Sequence, residues 1–246
     1  MAMAITSGGG ATGGIVFPLV AQQLLPKLGF PWTMPVMGFI MLANAMVVIA
    51  FMRGRLPPRK SGPIVEWSAF RELPYVLFCI GGFLNLWAVY FAYSYISTFS
   101  HDIIGVSAST SLTVLLITNA VGIPGRAIPA FIADRYTGPL SMYIPMSLAA
   151  GIVLYGWVAV HDFPGLLAFS VLYVDLSKMG TRTGMVFPIV SLATLTGPPL
   201  AGALIGLRNG DFLYAQIFGG TAFVAGSLIL VGARFAHTRS DWRRQI

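Results

Sequence analysis

The sequence predicts an all-α polytopic membrane protein that forms one multi-helix domain. Of its 246 residues, 56% are hydrophobic and 9% are charged, whereas soluble domains carry about 25% charged residues. Its mean hydropathy is +0.78. Uncharged runs long enough to cross about 30 Å of hydrocarbon occur at 1–26, 34–52, 75–100, 103–125, 136–160, 183–207 and 212–233.

The first run is expected to stay in the protein as a helix. It has no basic segment before it and exceeds the length of a signal-peptide core. Its stretch SGGGATGG lacks the Gly-Lys-Ser/Thr ending and the preceding strand of a phosphate-binding loop. Small residues spaced four apart let membrane helices approach closely. We interpret four glycines as helix-packing residues, with a hinge or a ligand-facing thin spot as alternatives: Gly9, Gly10, Gly13 and Gly14.

A polar linker separates the second run from the third. The stretch from Arg53 to Pro74 is basic and rich in proline and glycine, as expected of a connection between helical bundles rather than a folded domain. The chain therefore divides into a two-helix part at 1–52, a loop at 53–74 and a six-helix part at 75–246. Membrane proteins built from repeats usually have matching halves, and these parts do not match.

One hydrophobic run, Phe163–Val174, is too short to assign by its length. If it crosses the membrane and the N-terminus is cytoplasmic, only Lys27 and Arg208 face outside, and Arg126 lies within a helix. If it does not cross, seven basic residues lie on each side and the positive-inside bias disappears. The charges thus predict eight crossings. The cytoplasmic basic residues are then 53, 55, 59, 60, 71, 135, 178, 182, 234, 239, 243 and 244.

Arg126 is a candidate ligand-binding residue. It lies eight residues before Asp134 and Arg135, which mark the cytoplasmic end of the fourth segment, and is therefore about 12 Å deeper in the membrane. A charged side chain at that depth is costly unless it faces a partner or a wet cavity. Structural pairing and snorkelling to the interface remain alternatives. Asn119, which opens the same stretch, is the second candidate for ligand binding.

Asp134 and Arg135 are candidate gating residues. They precede a Thr-Gly-Pro turn, where charge and helix-dipole contacts would hold the cytoplasmic end of a helix. A plain loop is the alternative interpretation. Prolines within the long runs indicate broken helices, which membrane proteins tolerate beside cavities or neighbouring helices.

Other classes of protein are not favoured by the sequence. An intramembrane enzyme would need a nucleophile with a base, or a metal-binding set, inside the helices, but His101, His161 and His237 lie in predicted loops. We expect no metal and no cofactor. Cys79, the single cysteine, lies in an apolar run and is interpreted as a packing residue. The basic residues follow membrane topology, so a nucleic-acid partner is not expected.

Several motifs resemble the monocarboxylate porter family of the major facilitator superfamily, and fungal members in particular. The pattern G-R-x-x-P-x-x-x-A-D-R at 125–135, followed by Gly138-Pro139, resembles the junction of that family's eighth and ninth helices. Similar matches place the beginning of the fifth helix at MAMAITSGGGATGG, the sixth at LGFPWTMPVMGFIMLA, and the eleventh helix with its preceding loop at GTRTGM and GPPLAGALIG.

The resemblance implies a partial twelve-helix fold in which this chain carries helices 5–12. Residues 1–52 would be the last two helices of the N-terminal bundle, 53–74 the central cytoplasmic loop and 75–246 the C-terminal bundle. The tenth helix would be shortened after Val174 by some twenty residues, as an altered splice or gene model would produce. This explains the unequal parts, and it agrees with the crossing that the charges require at the short run.

The resemblance also implies a function. The expected activity is transport of a small organic anion or secondary metabolite by alternating access, in the plasma membrane, with lipid as the surrounding partner. The alternative is a truncated product that is inactive or that requires assembly, including self-association. Family members that symport protons carry an Asp four residues before the helix-eight arginine, and this chain has Gly122 there. The resemblance therefore leaves proton coupling open.

Overall fold

The described part of the chain is helical and contains no strand. The computed structural model describes residues 2–52, 70–177, 187–208 and 210–238, and the all-α membrane fold predicted from the sequence is confirmed there. The helices are α1 (Ala2–Phe51), α2 (Leu73–Asp102), α3 (Ala108–Ile132), α4 (Pro139–Gly156), α5 (Phe163–Ser177), α6 (Phe187–Gly206) and α7 (Leu213–Thr238). A π-helical turn, Ala133–Thr137, joins α3 to α4, and a 3₁₀ turn, Trp157–Ala159, follows α4.

A kink at Gly29 divides α1 into two helical segments. Gly29 has φ 69° and ψ 173°, a backbone region that is essentially restricted to glycine. The hydroxyl of Thr33 donates to the Gly29 carbonyl oxygen at 2.7 Å, and Pro31 provides a fixed φ near the start of the second segment. The two uncharged runs predicted at 1–26 and 34–52 are these two segments.

Four described helical stretches are long and apolar enough to cross a membrane. They are Gly9–Phe51, Leu73–Asp102, Pro139–Ala159 and Leu213–Ala236, and the first of them includes both segments of α1. The apolar stretches in α3 and α5 are shorter, Ser109–Gly125 and Phe163–Tyr173. Crossings at α3, α5 and α6 therefore stay predictions.

The short hydrophobic run is a core element. In α5, Leu166, Phe169 and Tyr173 are almost completely buried. Phe169 stacks on Trp157 at a centroid distance of 4.9 Å and on Tyr173 at 5.3 Å. The Tyr173 hydroxyl donates to the Ala88 carbonyl of α2 at 3.1 Å. Aromatic pairs and a satisfied buried hydroxyl thus hold α5 inside the bundle despite its length.

Helices α2 and α6 run parallel. A Cβ added at Gly197 would lie 2.8 Å from Cδ1 of Trp87, and one at Gly202 would lie 2.6 Å from the hydroxyl oxygen of Tyr95. The Tyr95 hydroxyl donates to the Pro198 carbonyl at 3.0 Å. Later positions of α2 therefore meet later positions of α6. Three helices, α3, α4 and α5, lie between them in the chain. If each of these three crosses the membrane, α2 and α6 must run parallel, so the observed orientation agrees with a crossing by α5.

Helices α4 and α7 pack in an antiparallel register marked by polar pairs. The pairs share a nearly constant sum of residue numbers: Ser141 with Arg234, Ser147 with Ser227 at 2.8 Å, and Tyr155 with Thr221 at 2.7 Å. Arg234, interpreted from the sequence as a cytoplasmic topology residue, is only 3% exposed, because its guanidinium donates to the Ser141 hydroxyl across this interface. Hydrogen bonds between membrane helices stabilise by about 0.6 kcal/mol each on average.

Candidate functional site

Asn119 contacts the glycine-rich part of α1. Its side chain is 8% exposed, and its Nδ2 donates to the Leu115 carbonyl of its own helix at 2.9 Å and to the Gly14 carbonyl at 3.4 Å. A Cβ at Gly14 would lie 2.6 Å from Asn119 Oδ1. Only glycine at this position allows the amide to lie against the α1 backbone. The structure thus joins two residues that the sequence assigned to separate roles.

Arg126 shares the Asn119 face of α3 by helical register. A separation of seven residues is nearly two full turns, about 10.5 Å along the axis. The backbone at Arg126 is helical, and its side chain lies outside the described part. Asn119 and Arg126 are therefore predicted to border one strip of α3, and the roles assigned to them stay predictions.

The other three glycines of the predicted packing set, Gly9, Gly10 and Gly13, are exposed or face their own helix. Gly9 and Gly10 are exposed. A Cβ at Gly9 would meet no atom within 4 Å, and one at Gly13 would meet only Phe17 of α1 at 3.9 Å. Within the described residues, contact with a second helix is thus seen at Gly14. A packing role for the other three stays a prediction.

The candidate gate forms the π-helical turn after α3. Arg135 is exposed in this turn, and the side chain of Asp134 lies outside the described residues. Gly138 is buried with φ 80° and ψ 154°, and its N–H donates to the Ala133 carbonyl at 2.9 Å. Pro139 then begins α4. The sequence located this break, but the gating role of Asp134 and Arg135 is not tested by it.

An open surface depression lined by polar residues lies at the opposite end of α3 and was missed by the sequence reasoning. It has a volume of about 280 Å³ and is lined by Ser97, Thr98, His101, Asp102 and Ser111. His101 Nδ1 and Asp102 Oδ1 are 2.8 Å apart, and both side chains are exposed. His101 was interpreted as a loop residue, whereas it lies in the last turn of α2. Neighbouring polar residues in the run from Ser97 to Ser111 were the available signal.

The turn between α6 and α7 holds an exposed charged group. The guanidinium carbon of Arg208 lies 4.1 Å from the ring centroid of Tyr214, and its Nη1 lies 3.6 Å from Asp211 Oδ2. Hydrogen bonding to Tyr214 is the largest effect that raises the pKa of Arg208. Because this side chain is at the surface, the ion pair adds little to stability.

The described residues contain no group of three or more His, Cys, Asp or Glu side chains able to hold a metal ion. Cys79 is buried in α2. The geometry therefore directs attention to the α1–α3 interface, where the Asn119 amide contacts the glycine-rich part of α1.

Comparison with known proteins identifies the sequence family. Residues 1–188 match the sequence model described as the Major Facilitator Superfamily. An "MFS-type transporter" of Gibberella zeae is 41% identical over 97% of this chain and 59% of its own length. "MFS-type transporter dbaD" of Emericella nidulans is 31% identical over 94% of this chain and 56% of its own.

A third relative is named for the compound that it exports. The "Aspyridones efflux protein apdF" of Emericella nidulans is 30% identical over 95% of this chain and 51% of its own length. The chain thus spans between about half and three fifths of the length of these curated relatives.

Proposed function

Because the chain belongs to the Major Facilitator Superfamily, we propose that it serves transport of a small organic anion or secondary metabolite by alternating access. The family match is the observation that carries this proposal. Relatives named as transporters, one of them as an efflux protein, favour export. Members of this superfamily are transporters and not enzymes. Within it, the motif at 125–135 favours the monocarboxylate porter branch, and the plasma membrane is the proposed location.

The proposed solute site lies between the first segment of α1 and the strip of α3 that carries Asn119 and Arg126. If α1 and α3 run antiparallel, as the predicted topology requires, Arg126 is level with the residues about seven before Gly14. That part of α1 is SGGGATGG, which leaves room for a ligand because it has few side chains. A guanidinium there would bind a carboxylate through two parallel hydrogen bonds.

Alternating access would use the α1–α3 contact as its moving surface. The polar register of α4 with α7 and the buried aromatic core around Trp157 form a rigid body suited to rocking as a unit. We assign Asp134 and Arg135 to a cytoplasmic gate, because the Gly138 break separates them from α4. Packing by Gly9, Gly10 and Gly13 against another helix, and contact of the outer helices with lipid, belong to the same proposal.

The main test is solute flux in liposomes, measured in this chain completed from a longer homologue, with [¹⁴C]benzoate and [¹⁴C]lactate as probes. Arg126→Ala and Arg126→Lys should both abolish saturable flux while leaving membrane insertion unchanged, because lysine keeps the charge but loses the planar fork. Arg208→Ala is the matched control, since that arginine lies on an exposed turn. Normal flux by Arg126→Ala would refute the proposed site.

A second candidate is a shortened product that does not transport alone and that works, if at all, through assembly or self-association. The aligned stretch with the Gibberella zeae relative is 260 residues long, but 97% of 246 residues is about 239, so about 21 aligned positions have no residue from this chain. The described part of α5, Phe163–Ser177, has 15 residues, about 22 Å, which is short of about 30 Å of hydrocarbon. Both observations favour a shortened tenth helix.

The two candidates are separated by completing the chain. The 246-residue chain alone should show no saturable benzoate or lactate flux. Adding only the upstream part of the Gibberella zeae relative should not restore flux, whereas adding it together with about 20 apolar residues after Val174 should, because only then can α5 span the hydrocarbon without local thinning or a partner that covers its ends. Robust flux by the purified chain alone would reject an inactive shortened product and favour a cavity assembled from several copies of the chain.

A further inference from the structure

The Asn119 amide is held by a bond that is easily exchanged. Its 3.4 Å contact with the Gly14 carbonyl is longer than the usual 2.7–3.2 Å for an N–H···O bond, whereas the bond to Leu115 within α3 is 2.9 Å. The amide can therefore leave Gly14 and keep the bond in its own helix. An amide N–H is a hydrogen-bond donor and can bind the carboxylate oxygen of an organic anion directly.

The Gly14 carbonyl occupies a place that a ligand could take. The bond lies at the interface of α1 and α3, about 10.5 Å along the axis from the Arg126 position. At Gly14 itself no side chain separates the amide from the α1 backbone, since a Cβ would lie 2.6 Å from Oδ1 and 2.8 Å from Cγ of Asn119. Residue 14 thus controls whether the amide can reach the α1 backbone at all.

We propose that Asn119 is a solute-binding group for which the Gly14 carbonyl competes when the site is empty. The contact is autoinhibitory: a bound organic anion takes the amide from Gly14, and loss of the solute returns it. This inference rests on the proposed function and adds a named competitor to its site. No bond is made or broken covalently, and the exchange involves hydrogen bonds alone.

The first experiment measures equilibrium binding of [¹⁴C]benzoate and [¹⁴C]lactate to the 246-residue chain in nanodiscs. In Gly14→Ala the added Cβ forces the flexible end of Asn119 to rotate away, which removes the competitor and should tighten binding by roughly two- to fivefold. Asn119→Ala should weaken binding by about tenfold. Gly38→Ala is the matched control on the same helix, because it lies outside the proposed site and its Cβ meets no atom within 4 Å, and it should bind as the unsubstituted chain does.

The decisive result is tighter binding in Gly14→Ala together with weaker binding in Asn119→Ala, because a merely structural contact would lower the affinity in both variants. Weaker binding in Gly14→Ala, or unchanged binding in Asn119→Ala, overturns the inference. The proposed anion site still stands in that case if Arg126→Ala abolishes binding. Absence of saturable binding of either probe by the unsubstituted chain overturns the proposed anion site and this inference with it.

The second experiment tests whether a bound anion separates residue 14 from residue 119, and it uses a variant in which the Asn119 amide is itself replaced. Cysteines at residues 14 and 119, on a Cys79→Ala background, should cross-link on oxidation, because the Cβ atoms lie within about 4.5 Å, as a disulfide requires. Saturating benzoate should slow the cross-linking at least threefold, as measured by titration of the remaining thiols. A cross-linking rate that benzoate leaves unchanged, in a chain that binds benzoate, overturns the inference.

Discussion

Replacing Gly226 by alanine should separate α2 from α7. A Cβ at this position would lie 2.8 Å from the backbone carbonyl oxygen of Gly81 and 2.5 Å from Asn85 Oδ1. A side chain can rotate away, but a helix backbone cannot, so the two helices must move apart. Overpacking of this kind costs about 1–3 kcal/mol, and the better helix propensity of alanine offsets about 1 kcal/mol of it. We expect a net loss of up to about 2 kcal/mol.

The matched control is Gly232→Ala, one and a half turns later on α7. Its Cβ would meet only Leu77 Cδ1, at 4.0 Å, so the propensity gain remains and stability should be unchanged or should rise by up to about 1 kcal/mol. The assay is thermal unfolding of the detergent-solubilised chain, followed by size-exclusion chromatography of a fluorescent fusion. Equal midpoints for the two variants would refute the backbone contact between α2 and α7.

Two further predictions concern topology and the α4–α7 interface. Single cysteines at Ser177 and Ser240, on a Cys79→Ala background, should resist a membrane-impermeant thiol reagent in intact cells and react after permeabilisation. Both positions lie on the side that the distribution of basic residues predicts to be cytoplasmic. Labelling of both from outside would contradict the eight-crossing topology. The Ser147 and Ser227 hydroxyls are 2.8 Å apart, so Ser147→Ala and Ser227→Ala should show a coupling energy of about 0.6 kcal/mol in a double-mutant cycle for unfolding. Strictly additive losses of stability would contradict a hydrogen bond between the two hydroxyls.

Helix positions could be predicted from the sequence because a membrane helix must be long, uncharged and internally hydrogen-bonded. The break near Gly29 and the break at Gly138 were visible as a polar or glycine-proline interruption. The fold class followed from composition alone. These features depend on the chain locally, so a local pattern is enough to find them.

The partners of individual side chains could not be predicted in the same way. Burial of Arg234 depends on Ser141, 93 positions away, and the Asn119 contact depends on which glycine of α1 comes opposite it. Four glycines share the same spacing pattern, yet contact with a second helix is seen at Gly14 among them. Register between helices decides such contacts, and register is a property of the assembled bundle.

The two segments of α1 differ in what they contact, and the difference bears on function. The first segment packs on α3 and buries Ala11 completely. In the second segment, side chains such as Trp32, Phe39 and Ile49 are 65–77% exposed, and such an apolar surface requires hydrocarbon or other helices around it. The relatives are longer than this chain, so protein can cover this segment in them. A solute site at the α1–α3 interface is stable only while α1 is held in place, and many large apolar side chains of the second segment are exposed in the described structure. The position of α1, and with it the competition for the Asn119 amide, should therefore depend on what packs against that second segment.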